Sequence, residues 1–97
     1  MPFQYGPFTF DETGIAGIRQ VGGVYGLAKP TGDGYYRILY VGKTGNLPER
    51  LRVHLNNPPV SGITHFFAEA IDGDAARTQR EYALVQEFQP VGNTLLK

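Results

Sequence analysis

The sequence predicts a single α+β domain in which a three-stranded antiparallel sheet is flanked by helices. Three observations carry that expectation. Residues 24–29 and 35–42 are rich in strand formers and bracket the turn sequence Pro30-Thr31-Gly32-Asp33-Gly34, the pattern of an antiparallel hairpin. A third strand-forming run, residues 63–71, follows a segment with helical leucine spacing. A long helical stretch then closes the order strand, strand, helix, strand, helix, and the helices must cover at least one sheet face.

Taken in chain order, residues 3–10 are aromatic and partly alternating, and residues 11–18 read as a short, glycine-weakened helix or a turn. After the hairpin, Thr44 or Asn46 can cap a helix opening near Leu47-Pro48, because proline is tolerated in a first turn that lacks backbone partners. Leu47, Leu51 and Leu55 stack on one side of this helix, Arg50 and His54 on another, and Pro58-Pro59 must end it. Asp72-Gly73-Asp74 is a turn whose Asp74 can cap the next helix, residues 75–88. Ala76, Ala83, Leu84 and Phe88 serve there as its expected buried face, and Pro90 as its stop. Glu81 falls in the middle of this helix.

Ninety-seven residues match one domain, read here as residues 1–97 with residues 1–20 as an N-terminal appendage packed on the rest. A hydrophobic content of 41% and a charged content of 19% are globular values. Every apolar run is too short to cross a bilayer, so no membrane partner is expected. The chain opens without a basic leader, and the expectation is a cytoplasmic protein. Absence of cysteine removes disulfides and thiolate metal sites, and His54 and His65 lack the spacing of a local zinc motif. Gly26, Gly42 and Gly45 form neither a P-loop nor a dinucleotide fingerprint, and no Ser-His-Asp or Cys-His set can be assembled. Nine basic and nine acidic residues cancel, so attraction to nucleic acid has to come from local distribution. Lys43, Arg50, Arg52 and His54 face a single acid, Glu49, in their stretch of chain and define one basic patch.

Gly23-Val24-Tyr25 and Tyr40-Val41-Gly42 are followed by Lys43-Thr44, by Asn46-Leu47-Pro48-Glu49-Arg50-Leu51 with His54, by Arg80-Glu81 and by Asn93. In that order the chain resembles the GIY-YIG nuclease superfamily from about residue 21 to residue 93, with valine in place of isoleucine in both tripeptides. Fourteen residues separate Tyr25 from Tyr40, more than the family usually carries, which is a turn insertion away from the site. Many relatives continue into a nucleic-acid-binding module beyond the point where this chain stops. A partner protein supplying target recognition is therefore part of the expectation.

The resemblance implies a metal-dependent endonuclease that hydrolyses DNA phosphodiester bonds with one divalent ion, Mg²⁺ or Mn²⁺, in DNA repair or in a mobile element. Glu81 would hold the ion, since hard cations take oxygen ligands and Mg²⁺ often uses few carboxylates. Taken alone it reads as a surface glutamate paired with Arg77 one turn earlier. Arg50 would bind the scissile phosphate through its planar, permanent charge, and alone it is a solvated helix arginine. Lys43 matches a lysine that orients water or favours an ionised tyrosine in some relatives.

Tyr25 and Tyr40 would activate or position the water, although a free phenol with a pKa of about 10 is a poor base and needs a nearby cation such as Lys43 or the metal. Read singly, each is a buried strand tyrosine. His54 would act as base, phosphate donor or buffer for the Tyr25 hydroxyl. Asn93 reads as a structural clamp and Gly42 as a supporting turn glycine, and Arg52 joins Lys43, Arg50 and His54 as the nucleic-acid-binding set. A catalytically inactive nucleic-acid-binding module of the same fold is the alternative. A third reading is an interaction domain using Phe3, Tyr5, Phe8 and Phe10 as an exposed apolar surface.

Overall fold

The computed structural model describes residues 3–95, with the side chains of residues 94 and 95 left aside. Its elements run β1 (Tyr5–Thr9), α1 (Glu12–Ala16), β2 (Gly23–Pro30), β3 (Tyr36–Thr44), α2 (Leu47–Asn56), β4 (His65–Ala70), α3 (Asp74–Phe88) and α4 (Val91–Leu95). The strands form one antiparallel sheet in the order β1-β4-β2-β3, so that β2 lies inside and β3 is an edge. The α+β architecture expected from the sequence is present, with one strand more than the three counted there.

That extra strand is β1. Gly6 and Pro7 weaken it as a strand on sequence grounds, and proline is confined to edges and irregular places within sheets. β1 meets both conditions, since it is an edge and its register against β4 shifts between Tyr5 and Phe8. The opening aromatics are consequently core and near-core residues. Phe3 is buried against Phe67 and Phe88, and Phe8 and Phe10 pack on Phe66. Of the four aromatics expected to form an interaction surface, only Tyr5 is exposed, at 50%.

Helices cover both faces of the sheet. Val24, Ala28, Ile38, Val41 and Phe67 pack with Leu84 of α3, whereas Tyr25, Leu27, Phe66 and Ala68 pack with Ile15 of α1 and with Leu47 and Leu51 of α2. Alternation of side chains along β2 distributes its residues between the two cores. α2 starts as its sequence requires. The Asn46 side chain accepts a hydrogen bond from the Glu49 backbone N–H at 3.3 Å, Pro48 occupies the first turn, and the helix ends at Asn56 ahead of Pro58.

α3 differs from its expectation in two respects. Gly73 occupies the capping position without any side-chain hydrogen bond, and Asp74, expected to be the cap, lies in the first turn and pairs with Lys43 at 3.2 Å. Ala76 and Ala83 are exposed, and the buried face consists of Leu84 with partly buried Val85 and Phe88. Alanine carries too little apolar surface to fix which side of a helix turns inward, so the larger residues decide. Glu81 lies three and four residues before Leu84 and Val85, and it is partly buried because this face is the one that meets the sheet. Gln89 then adopts a left-handed conformation (φ 46°), and Pro90 separates α3 from the short α4, which the sequence did not predict.

Candidate active site

Tyr25 on β2 pairs with Gly42 on β3, and Leu27 pairs with Tyr40, so the two tyrosines lie diagonally on the same sheet face with ring centroids 6.4 Å apart. The pairing explains why position 42 is glycine. A Cβ there would overlap the Tyr25 hydroxyl oxygen and Cζ, so the phenol extends over edge strand β3 only because Gly42 leaves room.

α2 closes the tyrosine pair from above. His54, on the turn that follows Arg50, is buried, with its ring 5.5 Å from Tyr25 and 5.4 Å from Tyr40. Its Nε2 lies 2.7 Å from the Tyr25 hydroxyl, a buried side-chain hydrogen bond whose direction depends on the imidazole tautomer. Arg50 is exposed at the mouth of the cluster, and its positive charge is felt by Tyr25, Tyr40 and His54.

Glu81 approaches from α3, which covers the opposite face, and its negative charge is nevertheless felt by both tyrosines. The site therefore straddles the β3 edge, with phenols, imidazole and guanidinium on one side and the carboxylate on the other. The Glu81 carboxylate makes no hydrogen bond or ion pair with the described residues. Arg77, its partner on the bland reading of the sequence, donates from Nε to the Ile71 carbonyl at 2.9 Å instead.

Burial dominates the ionisation of these groups. It pushes the Tyr25 phenol up to about 12, opposed by Arg50 and helped by the Tyr40 phenol, which resists a second ionisation beside it, and by the Glu81 carboxylate. Burial raises Tyr40 as well, again with Arg50 opposing. His54 is driven down to about 4, first by burial and then by Arg50, so the imidazole is neutral at neutral pH. Burial raises Glu81 above the ordinary carboxylate value, and Lys43 offsets part of that rise.

The other residues expected in the site are held by protein partners. Lys43 donates to Asp74 Oδ1 at 3.2 Å and to Thr78 Oγ1 at 2.9 Å, so its charge acts on Glu81 while Arg50 is the cation beside Tyr25. Thr78 escapes notice in the sequence and Asp74 is read there only as a cap, although their spacing of four places them on one helix face. Arg52 pairs with Glu12 of α1 at 2.7 Å. Arg80 donates to Glu69 of β4 at 3.0 Å. Asn93 uses both ends of its amide on one residue of the β3 edge. Its Oδ1 accepts from the Val41 N–H and its Nδ2 donates to the Val41 carbonyl, each at 2.8 Å. His65 lies elsewhere, against Thr64 and the Tyr36 ring.

The donor set fits a hard divalent cation bound through one carboxylate. Glu81 is partly buried and has no protein cation within ion-pair distance, and Mg²⁺ commonly completes its shell with waters and substrate phosphate. Among the described residues no group of three or more His, Cys, Asp or Glu is placed to hold a metal, so a multi-ligand cage is not the fit. No helix among the described residues is long and apolar enough to cross a membrane.

No protein-family model and no curated protein matches the chain by sequence. Solved structures do match. The GIY-YIG N-terminal endonuclease domain of UvrC from Thermotoga maritima, bound to magnesium as its catalytic divalent cation, has a TM-score of 0.64 and 22% identity, over 80% of this chain and 89% of that one. An asparagine-to-alanine variant of the same domain, with its catalytic divalent cation, also gives 0.64 at 22% identity, covering 80% and 88%. A tyrosine-to-phenylalanine variant gives 0.63 at 21% identity with the same coverage. At this identity the likeness is one of architecture, and the chain has the fold of the GIY-YIG endonuclease domains.

Proposed function

We propose that the chain is a metal-dependent endonuclease that hydrolyses a DNA phosphodiester using one divalent ion, Mg²⁺ or Mn²⁺, held by Glu81. The observation that carries this reading is the convergence of Tyr25, Tyr40, Arg50, His54 and Glu81 on one sheet edge, linked by the 2.7 Å Tyr25–His54 hydrogen bond. A bound divalent ion would supply charge relief at the phosphoryl oxygens and acidify a coordinated water.

The chain's own groups supply the remaining needs. Arg50, exposed at the cluster mouth, binds the non-bridging oxygens of the scissile phosphate and stabilises the charge that grows there. A phenol pushed up to about 12 cannot act as a preformed phenolate at neutral pH. The Tyr25 hydroxyl instead works as a relay, its oxygen taking the proton of the attacking water while its own proton passes to His54 Nε2. His54 is uncharged and able to accept, and an anionic phosphate on Arg50 offsets one of the two influences that hold its pKa down.

As the water oxygen bonds to phosphorus, the bond to the departing sugar oxygen breaks, and that oxygen takes a proton from solvent. Tyr40 orients the water from the neighbouring strand, and Lys43, fixed by Asp74 and Thr78, favours the ionised form of Glu81 against the effect of burial. Arg52 reaches a phosphate only by leaving Glu12.

Nicking of supercoiled plasmid and of branched or flapped DNA tests the reading. Cutting that requires Mg²⁺ or Mn²⁺ and stops on chelation supports it. DNA binding without cutting on any substrate would replace it with a binding module.

A further inference from the structure

The sheet carries a pair of cations that the proposed chemistry does not use. Lys29 on β2 and Arg37 on β3 are direct cross-strand partners near the hairpin turn, and both are exposed. Like charges directly opposite each other on a sheet repel and destabilise the pair. Neither residue has an ion pair or side-chain hydrogen bond with the described residues. The only acid between residues 23 and 44 is Asp33, and it is occupied within its own turn by the Thr31 hydroxyl and the Tyr35 N–H.

Their position relates them to the site. Alternation along β2 puts Tyr25, Leu27 and Lys29 on one face, and the register continues that face through Tyr40 and Arg37 of β3. Lys29 lies four residues beyond Tyr25, roughly 13 Å at the rise of a strand. That span takes in several phosphates of a strand running along the sheet edge, at roughly 3.4 Å of duplex axis for each. Nearer the centre, Lys43 and Arg52 are neutralised by Asp74 and Glu12, which leaves Arg50 with little cationic help.

We infer that Lys29 and Arg37 form a phosphate clamp that grips the DNA backbone beyond the scissile phosphate, on the same face as Tyr25 and Tyr40. The inference rests on the nuclease reading and extends it to a substrate track along edge strand β3. An anionic backbone between the two side chains relieves their mutual repulsion, which gives the bare pair a fold cost and a binding role together.

The test measures binding of a short DNA duplex by fluorescence anisotropy without divalent metal, over a series of salt concentrations, for wild type, Lys29→Glu and Lys29→Ala/Arg37→Ala. The clamp predicts weaker binding in both variants, with the slope of log affinity against log salt shallower by about 0.9 for each cation lost. It also predicts a higher melting temperature for Lys29→Glu, which gains an opposite-charge partner in Arg37. Wild-type affinity and slope in both variants, with wild-type cutting intact, would overturn the clamp and leave the nuclease reading standing. A wild-type chain that neither binds nor cuts DNA would overturn both.

Discussion

The Tyr25 hydroxyl and His54 Nε2 share a buried hydrogen bond of 2.7 Å, so neither group can gain or lose a proton without the other registering it. Groups that work as a unit lose activity as a unit. Tyr25→Phe and His54→Gln are each expected to lower kcat by about 10²- to 10⁴-fold, the usual range for a positioned proton-transfer group. The double variant is expected to fall little further than the worse single one. Single-turnover cleavage rates check this, and multiplicative losses would show that the two act separately.

Burial and Arg50 hold the His54 pKa at about 4 against an ordinary 6.5, whereas burial raises the Glu81 carboxyl above its ordinary value, so Glu81 protonates first as pH falls and sets the acid limb of kcat/KM. The His54 shift acts on stability. Between those two values the unfolded chain binds a proton that the folded chain does not, so stability rises with pH there and is lost as pH falls from about 6.5 toward 4. Melting curves across that range should show the loss in wild type and a weaker one in His54→Gln.

Gly42 is required by the phenol lying over it. In Gly42→Ala the new Cβ meets the Tyr25 hydroxyl and Cζ, and either the ring or strand β3 must move. The expected cost is about 1–3 kcal/mol of stability, as for other overpacked sites. Displacement of the reacting group adds a rate loss on the order of 10²-fold. A melting curve and a cleavage assay on the folded variant separate the two effects.

Asn93 holds the same edge strand through the backbone. Asn93→Ala removes both 2.8 Å hydrogen bonds to Val41 and is expected to cost about 1–3 kcal/mol, the penalty for leaving backbone groups unpaired. Denaturant unfolding reads the loss. Below the transition, cleavage per folded molecule should suffer far less than in a Glu81 variant.

Much of this arrangement was legible in the sequence, for identifiable reasons. The hairpin, the Asn46 cap, the leucine row of α2 and the proline stops are local signals, and each appears where its chemistry places it. The grouping of Tyr25, Tyr40, Arg50, His54 and Glu81 came from an ordered motif that no single residue carries. What was not legible depends on tertiary context. Strand β1 forms because the β4 edge accepts an irregular, proline-containing partner. On α3 the expected inward residues Leu84 and Phe88 do turn in, whereas Ala76 and Ala83 turn out because they carry too little surface to define a face. The basic patch at residues 43–54 proved largely neutralised, since Asp74 and Glu12 come from elements distant in sequence.

The most direct test compares metal-dependent cleavage by wild type, Glu81→Ala and Arg50→Ala, with folding verified for each. Glu81 is a partly buried carboxylate without a protein partner, so its removal should leave the melting temperature in the absence of metal unchanged or higher. Mg²⁺ should stabilise wild type and fail to stabilise Glu81→Ala. Wild type is expected to cut DNA in a Mg²⁺- or Mn²⁺-dependent way, with a loss of about 10³-fold or more in each variant, equivalent to several kcal/mol of transition-state stabilisation, all of which rests on Glu81 holding the ion. Folded Glu81→Ala protein that cuts DNA at the wild-type, metal-dependent rate would contradict it.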